Sequence, residues 1–93
     1  MTGLERLSAR VVGRVQGVGF RWWVRVRAGE LGLTGWVAND PNERAVELVA
    51  EGTPTALDAF ERLLWAGPSS AQVERVDASR EPASGAFGRF EIT

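Results

Sequence analysis

The chain has 93 residues, a net charge of −1 and 44% apolar residues, which predicts one small domain with a modest core and argues against disorder. All eleven basic residues are arginines, and the near-zero net charge argues against a general nucleic-acid surface. Histidine and cysteine are absent, which removes the commonest general base, thiol nucleophiles, disulfides and the usual imidazole or thiolate metal ligands.

The amino-terminal residues 1–6 contain no apolar core of a leader peptide. No apolar run reaches the length of a membrane-spanning helix. We therefore expect a cytoplasmic protein without membrane attachment, with residues 1–93 forming a single domain.

The first predicted strand leads into a glycine-rich stretch. Leu7, Ala9 and Val11 alternate with polar residues, as in a half-buried strand. Beyond it comes Val15-Gln16-Gly17-Val18-Gly19-Phe20-Arg21, in which two glycines permit positive φ and a tight curl. Such a curl before a helix turns several N–H groups in one direction, and Arg21 adds a planar set of donors. The stretch predicts a small anion cradle for phosphate.

The glycine-rich stretch matches neither common nucleotide motif. It lacks the third glycine of a dinucleotide fingerprint, and no Gly-Lys-Ser/Thr follows it. A purely structural interpretation is a tight strand-to-helix turn with Arg21 as a solvated surface charge. On composition alone the two interpretations have equal weight.

A helix and a hairpin follow the loop. From Phe20 the apolar spacing is helical, and Gly32 is a typical stop. Residues 33–38 predict a second strand, and residues 39–42 (Asn-Asp-Pro-Asn) predict a turn. The third strand alternates, with Glu47 and Glu51 expected on its exposed face. Two strands joined by so short a turn predict an antiparallel hairpin.

The remaining elements complete a familiar order. Thr53 is a predicted N-cap and Pro54 a predicted first residue of a second helix that ends at Gly67. Residues 72–79 predict a fourth strand, residues 81–86 a polar loop and residues 87–92 a short final strand. The expected fold is α+β, a ferredoxin-like βαββαβ sandwich with one antiparallel sheet and two helices packed on one face.

Four sequence motifs resemble those of a known protein family. They are the string Gly13-Arg-Val-Gln-Gly-Val-Gly-Phe-Arg21, the helix with Ala28 before Leu31-Gly32-Leu33, the strand Gly35-Trp36-Val37-Ala38-Asn39, and Val46-Glu47 with Glu51-Gly52. From about Leu7 to its end, the chain resembles the acylphosphatase family.

This resemblance implies hydrolysis of acyl phosphates to a carboxylate and inorganic phosphate, without a metal or an organic cofactor. Arg21 corresponds to the family's phosphate-binding arginine, and Asn39 to the residue that holds the attacking water. The phosphate cradle corresponds to the backbone N–H groups of Gln16, Gly17, Val18, Gly19 and Phe20. The implied partner is a small-molecule acyl phosphate, with no nucleic acid or membrane involved, and we expect a monomer.

The residue inventory agrees with that chemistry. An acyl phosphate is an activated anhydride, so positioning and charge stabilisation suffice for its hydrolysis. Asn39 is too weak a base to deprotonate water and would orient it through the amide oxygen.

Two features depart from the family pattern. The hairpin sequence 39–45 lacks the family's Asp-Gly turn and is one residue longer. Trp22 and Trp23 are bulky for the start of this helix. Two interpretations of these side chains are open: they line the acyl side of a substrate, or they pack partly into the core.

Other interpretations of the same sequence remain. A non-catalytic anion-binding module would share the fold and the loop. A single-stranded RNA binder needs aromatic residues on a basic sheet face, and the carboxylates of the third strand argue against it. The amino-terminal domain of hydrogenase-maturation carbamoyltransferases has a similar loop, but it belongs to a much longer chain. We therefore expect a freestanding enzyme.

Overall fold

The computed structural model describes residues 3–42 and 44–93. The first two residues of the amino-terminal segment, and Glu43 in the hairpin sequence 39–45, lie outside this part. The elements are β1 Glu5–Arg14, α1 Phe20–Glu30, β2 Thr34–Asn39, β3 Ala45–Gly52, α2 Pro54–Ala66, β4 Gln72–Pro82 and β5 Phe90–Ile92. Both helices pack on one face of the sheet, which confirms the ferredoxin-like α+β fold.

The sheet has the strand order β4-β1-β3-β2-β5. The pairs β1–β3, β1–β4 and β2–β3 are antiparallel, as predicted, including the hairpin. The short strand β5 instead runs parallel to β2, so the sheet is mixed and not purely antiparallel. The reason is topological: β4 ends beside the start of β1, at the end of the sheet where β2 also begins. A chain that crosses along that end must enter the edge in the direction of β2.

The core follows the predicted alternation. The inward residues of β1 and β3 are buried beneath the helices, and α2 contributes Leu57, Phe60 and Leu64. Thr53 Oγ1 accepts a hydrogen bond from the backbone N–H of Ala56 at 3.2 Å, and Pro54 is the first helical residue, which confirms both predictions for the start of α2. None of the helices in the described part is long and apolar enough to span a membrane.

Strand β4 is longer than predicted and β5 is shorter. Because β1 has ten residues, it pairs with β4 as far as the Glu5–Pro82 position, three residues beyond the predicted end. Residues 87–89, which were predicted to begin the final strand, belong instead to the loop 83–89. Phe87 packs beneath the guanidinium of Arg6, 5.5 Å from the ring centroid.

The prediction that Glu51 is exposed was wrong. Glu51 was expected on an exposed strand face, but only 4% of it is accessible. The loop 83–89 covers it and supplies backbone donors from Ser84 at 2.8 Å and Gly85 at 3.0 Å, while Arg6 Nε donates at 2.8 Å. Burial by itself raises the pKa of Glu51, but the hydrogen bonds from Ser84, Arg6 and Gly85 outweigh it and lower the pKa to about 2. Glu51 is therefore an ionised anchor for the loop that leads to β5.

Candidate active site

Strand β1 enters the candidate site through Gly13. The pairing of β1 with β4 shifts register between Val12 and Gly13, and Gly13 has φ 142°. A Cβ atom at this position would lie 2.1 Å from the backbone oxygen of Gln72. Only glycine allows β4 to approach this closely, and the bulge turns the chain toward the loop that follows.

The glycine loop, residues 15–19, ends in an uncapped helix. Gly17 and Gly19 have φ of 72° and 75°, and Gly19 is the N-cap of α1 without any side-chain hydrogen bond to the helix end. A Cβ atom on either glycine would meet nothing within 4 Å. These glycines are therefore required by backbone conformation and not by crowding. The first N–H groups of an α-helix have no partner within the helix, and such a helix start favours an anion.

A cavity of about 180 Å³ opens in front of the glycine loop. Arg21 reaches it from the first turn of α1, and Asn39 reaches it from the end of β2. Its wall is formed by Val15, Gly17, Gly19, Phe20, Arg21, Trp22, Asn39 and Ile92. A larger cavity of about 280 Å³ lies on the opposite sheet face, but it has neither a glycine turn nor a helix N-terminus.

Arg21 is half-buried at this cavity. Its Nη1 donates to the backbone oxygen of Thr93 at 3.3 Å, which is a long bond. Within residues 3–42 and 44–93, no Asp or Glu side chain forms an ion pair with Arg21. A guanidinium carries five N–H donors, so Arg21 keeps both its charge and several donors for an anion in the cavity.

Asn39 is the last residue of β2, and its Oδ1 is buried. In the described part of the chain, this oxygen has no hydrogen-bond donor. Buried acceptors without a donor are uncommon because each costs desolvation energy, and those that occur call for a functional explanation. An acceptor of this kind beside an arginine and a helix N-terminus is suited to orienting a water molecule.

The side chains of two predicted cradle residues do not line the cavity. The side chain of Gln16 points to the hairpin and donates to the backbone oxygens of Asp40 at 2.7 Å and Ala45 at 2.8 Å. Val18 packs against the core, and its backbone oxygen accepts from Ser70 Oγ at 3.0 Å. The wall itself contains Gly17, Gly19, Phe20, Arg21 and Asn39 of the predicted set.

Sequence reasoning did not find Val15 and Ile92 on the wall. Ile92 arrives through the parallel pairing of β5 with β2, opposite Val37, and nothing in the local sequence indicates that partner. The two tryptophans separate: Trp22 is 60% exposed at the cavity, whereas the ring of Trp23 packs 5.5 Å from that of Phe20.

No group of three or more acidic, histidine or cysteine side chains in the described residues is arranged to hold a metal ion. The cavity wall carries no carboxylate or imidazole. Its chemistry is that of N–H donors, one cation and one amide.

A family model described as Acylphosphatase matches residues 7–92. The chain belongs to the acylphosphatase family. An acylphosphatase of Salinibacter ruber is 47% identical over 92 residues, covering 98% of this chain and 96% of that protein. One from Mycolicibacterium vanbaalenii is 50% identical over 87 residues, covering 92% of both chains. The crystal structure of acylphosphatase from Bacillus subtilis superposes with a TM-score of 0.90 at 34% identity, covering 96% of this chain and 98% of that one.

Acylphosphatases are hydrolases that act on acid anhydrides. Their substrates are small-molecule acyl phosphates, and inorganic phosphate is a product. Membership of the family gives this chain the same activity and disfavours a non-catalytic anion-binding module.

Proposed function

We propose that the cavity at the glycine loop is where this chain hydrolyses acyl phosphates, without a metal ion or an organic cofactor. The observation that carries the proposal is the meeting of Arg21, the uncapped start of α1 and the donor-free Oδ1 of Asn39 at one cavity. Each of the three has a separate task in the reaction.

The phosphoryl group binds at the start of α1. The backbone N–H groups of residues 16–20 surround its oxygens, and Arg21 adds charge-assisted hydrogen bonds. In the transition state, negative charge is spread over the equatorial phosphoryl oxygens, and donors fixed in advance stabilise that charge without having to reorganise. The left-handed conformations of Gly17 and Gly19 fix these donors in place.

The attacking water donates a hydrogen bond to Asn39 Oδ1. Its oxygen forms a bond to phosphorus while the bond from phosphorus to the acyl oxygen breaks, and the carboxylate leaves with the electron pair. An amide cannot accept the proton, so the proton passes to a phosphoryl oxygen. A carboxylate leaves readily without protonation, so this site needs no general acid.

The acyl group extends toward the open side of the cavity. Trp22 is exposed there, and the guanidinium of Arg25 lies over its ring, 5.4 Å from the ring centroid. Ile92 supplies an apolar surface on the same wall. The wall therefore offers an aromatic face to the acyl group, while the phosphoryl end is held by polar groups.

An isotope experiment tests the position of attack. Hydrolysis of acetyl phosphate in water enriched in oxygen-18 should place the label in inorganic phosphate, and acetate should contain none beyond the spontaneous background. Label in the acetate above that background would mean attack at the carbonyl carbon and would refute the role proposed for Asn39. The Asn39→Ala variant should bind inorganic phosphate with wild-type affinity and lose turnover.

We also propose that residues 1–93 act as one domain, in a cytoplasmic monomer without a nucleic-acid partner. The absence of cysteine excludes a disulfide-linked dimer, and the net charge of −1 offers little attraction for nucleic acid. Light scattering after size-exclusion chromatography should give the monomer mass of 10.1 kDa. A mass of twice that value at micromolar concentration would contradict the monomer.

A further inference from the structure

Asp40, the residue directly after Asn39, is held on several sides at once. Its backbone N–H donates to the oxygen of Ala45 at 3.0 Å, and its backbone oxygen accepts from Gln16 Nε2 at 2.7 Å. Its Oδ1 accepts from the backbone N–H of Asn42 at 2.8 Å, which closes a turn of the Asx type. These bonds fix the backbone that follows β2.

The second carboxylate oxygen of Asp40 is held by Arg10. Arg10 Nη1 lies 2.6 Å from Asp40 Oδ2, and the two side chains are 24% and 16% exposed. Arg10 belongs to β1 between the buried residues Ala9 and Val11, so its side chain lies on the sheet face opposite the helices. It does not line the catalytic cavity.

Asn39 occupies the other face of the same sheet region. It pairs with Val46, which in turn pairs with Val11, and both valines are buried beneath the helices. Since Asn39 Oδ1 has no hydrogen-bond donor in the described residues, no bond to this oxygen fixes its direction. The backbone of residues 39 and 40, from which the side chain projects, is then one determinant of that direction.

We propose that Arg10 is a positioning residue of the hydrolysis, which holds Asn39 in its catalytic orientation by holding Asp40. The inference rests on the role given to Asn39 under Proposed function. Turnover falls steeply when a reacting group is displaced by even a fraction of an ångström. Releasing Asp40 from Arg10 frees the end of β2 and the oxygen that orients the water, while the phosphate cradle stays intact.

The first test compares kinetic constants with acetyl phosphate for Arg10→Gln and Asp40→Asn. We expect kcat to fall about tenfold, from a displacement smaller than the 1 Å that costs about a hundredfold. The KM and the inhibition constant of inorganic phosphate should stay within about twofold of the wild type, since ground-state binding is untouched. Arg10→Lys, which keeps the charge, should recover part of the kcat.

Glu47→Gln is the matched control. Glu47 Oε1 also accepts from Arg10 Nη1, at 2.7 Å, but it is 49% exposed and belongs to β3, where it pairs with Ala38, and not to the segment that follows Asn39. This variant removes one ion pair of the same arginine and should leave kcat unchanged. An equal loss of kcat in Glu47→Gln would overturn the assignment, because the effect would then belong to the charge of Arg10 and not to Asp40.

A double variant separates positioning from general damage. If Arg10 acts through Asn39, adding Arg10→Gln to Asn39→Ala should leave the residual kcat unchanged, because the oriented group is already gone. A further tenfold loss in the double variant, or wild-type kcat in both Arg10→Gln and Asp40→Asn, overturns the proposal. Wild-type turnover in Asn39→Ala alone would instead refute the catalytic role of Asn39, and the role of Arg10 would fail with it.

Discussion

Gln16 and Asp40 join the two halves of the candidate catalytic cavity. Gln16 belongs to the loop proposed to supply the phosphate donors, and its Nε2 donates to the backbone oxygen of Asp40 at 2.7 Å. Asp40 directly follows Asn39, the proposed water acceptor. The same nitrogen also donates to the oxygen of Ala45 at 2.8 Å, so one amide connects the loop to both strands of the hairpin.

Replacing Gln16 should therefore loosen the site as well as the fold. Gln16→Met keeps the length of the side chain and leaves two backbone oxygens without this donor. We expect the free energy of unfolding to fall by about 1–2 kcal/mol and kcat to fall several-fold. Urea unfolding and steady-state kinetics measure the two effects. A stable variant with wild-type kcat would show that the loop and the hairpin keep their relative position without Gln16.

Gly19→Ala tests the conformation of the loop. Gly19 has φ 75° and no neighbour that a methyl group would meet, so the cost is backbone strain alone, about 1 kcal/mol or more. Relief of that strain would rotate the N–H groups, so the inhibition constant of inorganic phosphate should rise several-fold. Isothermal titration with phosphate measures the loss directly.

Gly29→Ala is the control for this substitution. Gly29 lies within α1, has no positive φ and has open space around a new methyl group. Alanine should stabilise the helix there by up to about 1 kcal/mol and leave phosphate affinity unchanged. If the two glycine variants bind phosphate equally well, the left-handed conformation of Gly19 is not needed for the cradle.

Trp22→Ala tests the acyl side of the cavity. The exposed indole should contact a benzoyl group but hardly reach an acetyl group. We expect KM to rise several-fold for benzoyl phosphate and to change little for acetyl phosphate. Trp65→Ala, which removes an indole that is 51% exposed on α2, should change neither value. A rise of KM for both substrates in Trp22→Ala would place its effect on the phosphoryl end instead.

Glu51→Gln tests the anchor of the loop 83–89. The folded pKa of about 2 lies below the ordinary glutamate value of 4.5, so ionised Glu51 contributes stability on the order of 2 kcal/mol at neutral pH. A lowered folded pKa means that this contribution is complete above pH 4.5 and disappears as the pH falls toward about 2. The unfolding free energies of the wild type and the variant should therefore differ most at pH 7.

Urea unfolding between pH 2 and pH 7 measures this difference, because that range runs from the Glu51 pKa of about 2 to neutral pH. The two proteins should converge at the acid end, because a protonated carboxyl resembles the amide of glutamine. Glu47→Gln, on the same strand but 49% exposed, should track the wild type within about 0.5 kcal/mol. A difference that stays constant with pH would mean that packing, and not the charge of Glu51, holds the loop.

Most of the helices and strands were predicted correctly from the local sequence. Alternation in β1 and β3 and the Thr53-Pro54 start of α2 depend on neighbours within a few residues, and the structure confirms them. The tight curl of the glycine loop was predictable for the same reason, because it depends on Gly17 and Gly19 themselves, which have positive φ. The predicted strand 33–38 and turn 39–42 put Asn39 directly after a strand, and in the structure it is the last residue of β2.

Long-range partners could not be predicted in this way. Glu51 is covered by a loop more than thirty positions further along the chain, so the alternation of its own strand gave no sign of its burial. The parallel pairing that brings Ile92 opposite Val37 is set by where β4 ends. The bond from Arg10 to Asp40 joins residues thirty positions apart and depends on the register of three strands.

Arg21 and the glycine loop are proposed to form a catalytic phosphate site. The most direct measurement is hydrolysis of benzoyl phosphate by chelator-treated protein, followed by ultraviolet absorbance, for the wild type, Arg21→Ala and Arg62→Ala. Arg62 is an exposed arginine on α2. The wild type and Arg62→Ala should be equally active and competitively inhibited by phosphate, and Arg21→Ala should lose about a hundredfold or more of kcat/KM. Turnover by Arg21→Ala within a few-fold of the wild type would contradict the account.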